Sequence, residues 1–308
     1  VDPIPWLLEG DPAIRYQAMR DLVGSSPSSL AEERSRTVRE GLGAKILAAQ
    51  GPDGAWHLEG KPDWLPTLLS MQLLRASSVD AEEPPVKAAM TRLENGFRWH
   101  ESLGGKPFFE GETEPCINGN ALAASASLGR ASDALALRLV AEQLEDGGWN
   151  CEAPKSLRSS FHSTICVLEG LFEHERARGA SREITAARKR GEAYLLDRNL
   201  FRRRSTGEVA SAGFLEFAFP PRYGYDVLRG LDYFREALET PDPRMNEAVT
   251  HLVRKRRADG CWILDRTHDE ALPFAFPEAA GEPSRWNTLR ALRVLRWWAR
   301  GPRETGRH

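Results

Sequence analysis

Three short segments of this chain are spelled alike, and that repetition limits the fold more than any other feature. They are Gln50-Gly-Pro-Asp-Gly-Ala-Trp56, Gln143-Leu-Glu-Asp-Gly-Gly-Trp149 and Arg256-Arg-Ala-Asp-Gly-Cys-Trp262. Each follows a run with helical apolar spacing: Ala44 to Ala49, Ala134 to Glu142, and Asn246 to Lys255. Asp-Gly stops a helix because glycine enters the left-handed region without a Cβ clash. The Trp then packs its indole back on the completed turn. The expected unit is helix, Asp-Gly turn, Trp, second helix.

The Asp-Gly steps lie 93 and 113 residues apart, room for two helical hairpins rather than one. Degenerate copies are expected between them, at Leu93 to Trp99 and, more weakly, at Leu195 to Glu208 with Ser205-Thr-Gly207 as its turn. A period on this scale signals a repeat architecture. Segments beginning at Pro66, Asn120, Thr164, Gly224 and Thr288 carry apolar residues at i, i+3 and i+4, as second helices should. Arg15-Tyr16 with Arg20-Asp-Leu22 reads like Arg285-Trp286 with Arg290-Ala-Leu292, as if the first and last units meet. Prolines fall between units, and no alternating strand pattern competes. The expectation from the residues is a single all-α domain over 1–308, of about six helical hairpins whose first and last units meet.

The Gln-x-x-x-Gly-x-Trp spelling at Gln50 to Trp56 and Gln143 to Trp149 resembles the repeat (the QW repeat) of squalene and terpene cyclases and of protein prenyltransferase β-subunits. The resemblance covers nearly the whole chain, and in detail it is to short bacterial squalene-cyclase-like proteins. It implies an α/α toroid of about six helical hairpins, with an inner ring of helices lining a central pocket for an isoprenoid or other apolar substrate. Fold alone does not fix function.

Composition excludes some classes. A net charge of −2 gives no footprint for nucleic acid. No stretch reaches the roughly 20 apolar residues a membrane span needs. Nothing near Val1 reads as a signal peptide, so the expected compartment is the cytoplasm, with the four cysteines as thiols. A protein partner cannot be inferred.

Candidate chemistry concentrates at the starts of the second helices. Glu114, Cys116, Cys151 and His162 precede or open two consecutive ones and are expected to converge. Carboxylate, thiolate and imidazole are zinc ligands, and the prenyltransferase β-subunits resemble this chain in placing an acidic residue with Cys at one helix start and a His at the next. Against that family, Glu replaces Asp, Pro replaces Gly, and the spacing from Glu114 to His162 is short. The alternative is that Cys116 and Cys166 are core thiols and that His162 caps a helix. Arg158, Arg222 and Arg285 are placed to hold an anionic head group, and Tyr223, Tyr225 and Trp286 to face an apolar chain. Asp226, between Tyr225 and the next helix, reads either as a catalytic acid or as a first-turn Asp complementing the helix dipole. The cyclase acid motif Asp-x-Asp-Asp has only Asp80-Ala-Glu-Glu83 to match it, in an expected loop. Three functions follow: a zinc-dependent transferase or cyclase, a non-catalytic ring binding a lipid or peptide, and a metal-free cyclase with Asp226 as acid.

Overall fold

The computed structural model describes residues 1–301. Six inner helices form a ring: Pro12–Ala18, Trp64–Ala76, Pro115–Ser127, Phe161–Arg178, Val227–Ala237 and Arg285–Trp298. The first continues through Met19–Val23. Outside them lie Gly41–Ala48, Pro84–Gly96, Asp133–Ala141, Arg182–Leu196 and Asn246–Arg254. The fold is the α/α toroid expected from the repeat. Its sole named sheet among the described residues pairs Trp262–Ile263 with Pro283–Ser284.

The repeated spelling is explained by repeated hydrogen bonds. Trp56, Trp149 and Trp262 are fully buried. Each donates its indole N–H to the carbonyl ten residues earlier: Ile46 at 2.7 Å, Leu139 at 2.6 Å and Leu252 at 2.8 Å. Each backbone N–H goes to a threonine of the following inner helix, Thr67, Thr164 or Thr288, at 3.0, 3.1 and 3.0 Å. Gly54, Gly147 and Gly260 take φ of +87°, +96° and +88°, the conformation the Asp-Gly step demands.

The glutamines stitch one unit to the next. Gln50 donates to the carbonyls of Gly54 and, in the next outer helix, Ala89. Gln143 does the same to Gly147 and Ala187. The third copy has Arg256, whose Nε donates to Gly260 within its own turn. The degenerate copies depart from this pattern. Trp99 donates forward to Phe108 and stacks on its ring at 5.1 Å, while Gly207 closes a small loop between the bridged residues Arg202 and Val209.

The ring closes where the sequence places the matching first and last units. Arg293 donates to Gln17 Oε1 at 2.9 Å, and Arg285 to the carbonyl of Trp6 at 3.2 Å. Elsewhere, two glycines let the third and fourth inner helices touch backbone to backbone. A Cβ on Gly119 would stand 2.5 Å from the backbone of Cys166, and one on Gly170 would stand 2.6 Å from the carbonyl of Gly119. That contact sets the spacing of the helix starts described next. No helix among the described residues is long and apolar enough to cross a membrane.

Candidate functional site: a charged cavity and a separate thiol cluster

The starts of the inner helices do share one end of the ring, but most of them do not open on its cavity. A loop blocks them. The backbone carbonyl of Arg222 accepts from Gln72 at 3.0 Å, Asn120 at 3.3 Å and Arg229 at 3.4 Å, three side chains from three inner helices. Cys166 Sγ points at the carbonyl of Tyr223, 3.7 Å away. Residues 219–225 thereby plug the ring on its N-terminal side.

The cavity lies on the other side of that plug and has a volume of about 390 Å³. Its walls come mainly from the later turns of the inner helices, with Arg229 and Trp286 contributed by first turns and Phe219, Pro220 and Pro221 by the plug. Phe219 and Trp286 stack there, ring centres 4.4 Å apart. Arginines outnumber carboxylates along the walls by seven to four. The arginines are Arg20, Arg34, Arg75, Arg176, Arg229, Arg290 and Arg293; the acids are Glu169, Glu173, Asp232 and Glu236. An aromatic chamber for an isoprenoid was expected, and this wall is instead dominated by charge.

The charges form a connected lattice. Arg229 grips Glu169 with two bonds, Nε to Oε1 at 2.7 Å and Nη2 to Oε2 at 3.1 Å. Arg75 reaches the same carboxylate at 2.9 Å and Glu173 at 3.1 Å. Burial alone would raise the Glu169 carboxyl, but Arg229 and Arg75 outweigh it and hold it at about 2. Asp232 receives Arg293 at 2.7 Å and Arg235 at 3.0 Å. Against the same burial cost, those guanidiniums keep it well below the ordinary carboxylate range. Arg176 is exposed, and its nearest carboxylates, Glu173 and Glu236, stand 3.6 and 3.7 Å away.

Of the residues proposed from sequence for substrate binding, only Trp286 lines this cavity. Arg222 turns to Glu270 at 2.5 Å and lies over the Tyr223 ring. Tyr225 is buried and donates its hydroxyl to Leu200 O. Arg285 lies over the Trp6 ring, and Arg158 is exposed in the loop before the fourth inner helix. All sit on the plugged side. Asp226 is buried and caps the fifth inner helix, Oδ1 accepting from Arg229 N at 2.8 Å and Oδ2 from Ala218 N at 3.2 Å. Burial raises its pKa, and it does not reach the cavity wall. This is the first-turn capping role. Asp80 to Glu83 form the expected loop, with Asp80 paired to Arg34.

Sequence reading missed Glu169, Arg229, Asp232, Arg290 and Arg293. Their signal was present: each interrupts the apolar run of an inner helix, as in Ile-Cys-Val-Leu-Glu169-Gly-Leu and Val-Leu-Arg229-Gly-Leu-Asp232.

The expected thiol cluster forms in part. Donor atoms of Glu114, Cys116 and Cys151 lie within 4.8 Å of one another. Cys116 sits in the first turn of the third inner helix, and its N–H points to Cys151 Sγ at 3.4 Å. Ser163 Oγ lies 3.2 Å from the same sulfur. Cys116 Sγ faces Glu114 Oε2 at 3.6 Å. These contacts lower the Cys151 thiol, chiefly through its bond with Cys116, and that same bond followed by burial raises Cys116. His162 does not join them. Its Nδ1 accepts the backbone N–H of Tyr225 at 2.8 Å, and its ring packs edge-on to Phe214. Cys166 is a buried core thiol beside Asn120 and Arg229, and Cys261 is buried in its Trp turn. The cluster is not part of the cavity lining; along the third inner helix, ten residues separate Cys116 from the wall residue Ala126, about 15 Å at helical rise.

No family model matches the chain, and no curated protein matches it. Among solved structures it is similar to apo type II terpene cyclase MstE from Scytonema. The identity is 14% and the TM-score 0.32, over 88% of this chain and 98% of that one. A variant of that cyclase in complex with its product, merosterolic acid A, gives 14% identity and a TM-score of 0.28, over 87% and 96%.

Proposed function

We propose that the chain is a ligand-binding toroid whose cavity takes a polar, anionic ligand: a free phosphate or carboxylate compound, or the anionic head of a lipid or peptide. The guanidinium-rich cavity wall carries this reading: Arg20 and Arg34 are paired to Asp21 and Asp80, while Arg176, exposed and 3.6 Å from its nearest carboxylate, is best placed to take an anion. A hydrocarbon seated there would strip water from the lattice without replacing its hydrogen bonds, which is costly for charged groups. Arginine forks instead match phosphate and carboxylate oxygens. The cavity lining includes no cysteine or histidine among the described residues, so the reading is one of binding, not of thiol or imidazole chemistry. Thermal shift tests it. Inorganic diphosphate and citrate should raise the melting temperature, less at high salt and less in Arg176→Ala. Stabilisation by farnesol alone, with no response to either anion, returns the function to an isoprenoid enzyme.

A second reading concerns zinc, because two sulfurs and a carboxylate already stand together. Cys116, Cys151 and Glu114 are the groups that would hold it, and they suit zinc by donor type. An ion there would brace the third inner helix against the turn after Trp149, on the plugged side of the ring. Elemental analysis of protein purified without chelator decides between a metal site and a metal-free thiol pair: about one zinc per chain, absent from Cys116→Ser, supports zinc, and a metal-free chain rules it out.

A further inference from the structure

Cys116 and Cys151 belong to different repeats, 35 residues apart, yet their sulfurs fall in one cluster with donor atoms within 4.8 Å of each other. The two differ in access. Cys116 is buried at the helix start, whereas Cys151 is half-buried in a turn followed by the exposed residues 152–155. A disulfide needs its sulfurs at about 2.05 Å, so closure requires one of them to shift, and Cys151, in a partly exposed turn, is less confined by packing than Cys116. Each sulfur also has a polar neighbour suited to one half of an oxidation. Cys151 Sγ lies 3.2 Å from the Ser163 hydroxyl and 3.4 Å from the Cys116 backbone nitrogen, with an access route that Cys116 lacks. Cys116 faces the Glu114 carboxylate, an acceptor for its proton.

We propose that Cys116 and Cys151 are a peroxide-oxidisable pair that closes to a reversible disulfide. The reaction balances in two steps. The Cys151 thiolate attacks one peroxide oxygen, the O–O bond breaks, and water leaves after protonation, giving a sulfenic acid. Cys116 passes its proton to Glu114 and attacks the Cys151 sulfur; the S–O bond breaks and a second water leaves. The two sulfurs together lose two electrons, and hydrogen peroxide is reduced to two waters. The bond ties the third repeat to the fourth, on the plugged side of the ring and independently of any cavity ligand. Zinc and a disulfide claim the same sulfurs, so each excludes the other.

The test is mass spectrometry of the full chain, purified without chelator, before and after hydrogen peroxide. A loss of about 2 Da is expected, with a cross-linked Cys116–Cys151 peptide and full reversal by dithiothreitol. Cys116→Ser should stop at a Cys151 sulfenic acid that dimedone traps, and Glu114→Gln should slow closure at least several-fold while trapping continues. Peptide mapping of the unsubstituted protein stands even where a variant folds poorly. A cross-link through Cys166 or Cys261, direct oxidation of Cys151 to sulfinic acid beside a free Cys116, or a zinc ion that shields both thiols would each overturn the proposal.

Discussion

Arg229 and Glu169, sixty residues apart in sequence, meet inside the ring through two hydrogen bonds, 2.7 and 3.1 Å long, with Arg75 on the remaining side of the carboxylate. Three inner helices are thus bound through a single charge. The lattice holds the cavity open as well as charged, because side chains fixed in ion pairs cannot collapse inward.

Removing that carboxylate leaves Arg229 without its ion-pair partner in a buried site and leaves Arg75 with Glu173 alone. Glu169→Gln should therefore destabilise the chain by about 3–5 kcal/mol, the range for breaking one side of a buried pair. Urea unfolding followed by circular dichroism measures it.

The same residue fixes the acid limit of stability. The folded Glu169 pKa of about 2 lies below its unfolded value, near 4.3, so the unfolded state binds protons more readily. Its contribution is full above about pH 5 and is lost as pH falls toward 2, on the order of 3 kcal/mol in all. Urea midpoints at pH 6, 4 and 3 should fall in that order, and Glu169→Gln should flatten the trend.

The repeat turns have their own signature. Thr164 accepts the buried N–H of Trp149, so Thr164→Val keeps the shape and orphans the donor. A loss of about 1–3 kcal/mol is expected, with Thr164→Ser recovering most of it in the same unfolding assay.

At Asp226 the structural role predicts a stability effect. Asp226→Ala should cost about 1–2 kcal/mol through the lost helix cap, plus the Ala218 N–H it orphans, and Asp226→Asn less, because asparagine keeps one acceptor for the cap but turns an N–H toward Ala218. A loss in Asp226→Asn as large as in Asp226→Ala would mean that the bond to Ala218, not the cap, is the larger contribution.

The architecture was legible because Asp-Gly-x-Trp encodes local hydrogen bonds. The glycine conformation, the indole bond ten residues back and the return to the inner helix all recur, so three copies sufficed to imply the ring. The site was only partly legible. Glu114, Cys116 and Cys151 meet because consecutive inner helices start side by side, which sequence order implies. The turning of His162 toward Tyr225 depends on residues 219–225 folding across the ring axis, and nothing in their spelling marks them as a plug. The same plug keeps the cavity mostly among the later turns of the helices and away from Arg158, Arg222 and Arg285. The charged wall was visible as single charges inside apolar runs, but only the closed ring shows that those positions face one another.

The most direct measurement is a crystal structure of the chain grown or soaked with inorganic diphosphate. Electron density for the anion among Arg75, Arg176 and Arg293, inside the ring, is the predicted result. Saturating diphosphate with an empty cavity, or an anion held only near Arg158 and Arg222 on the plugged side, would contradict the account.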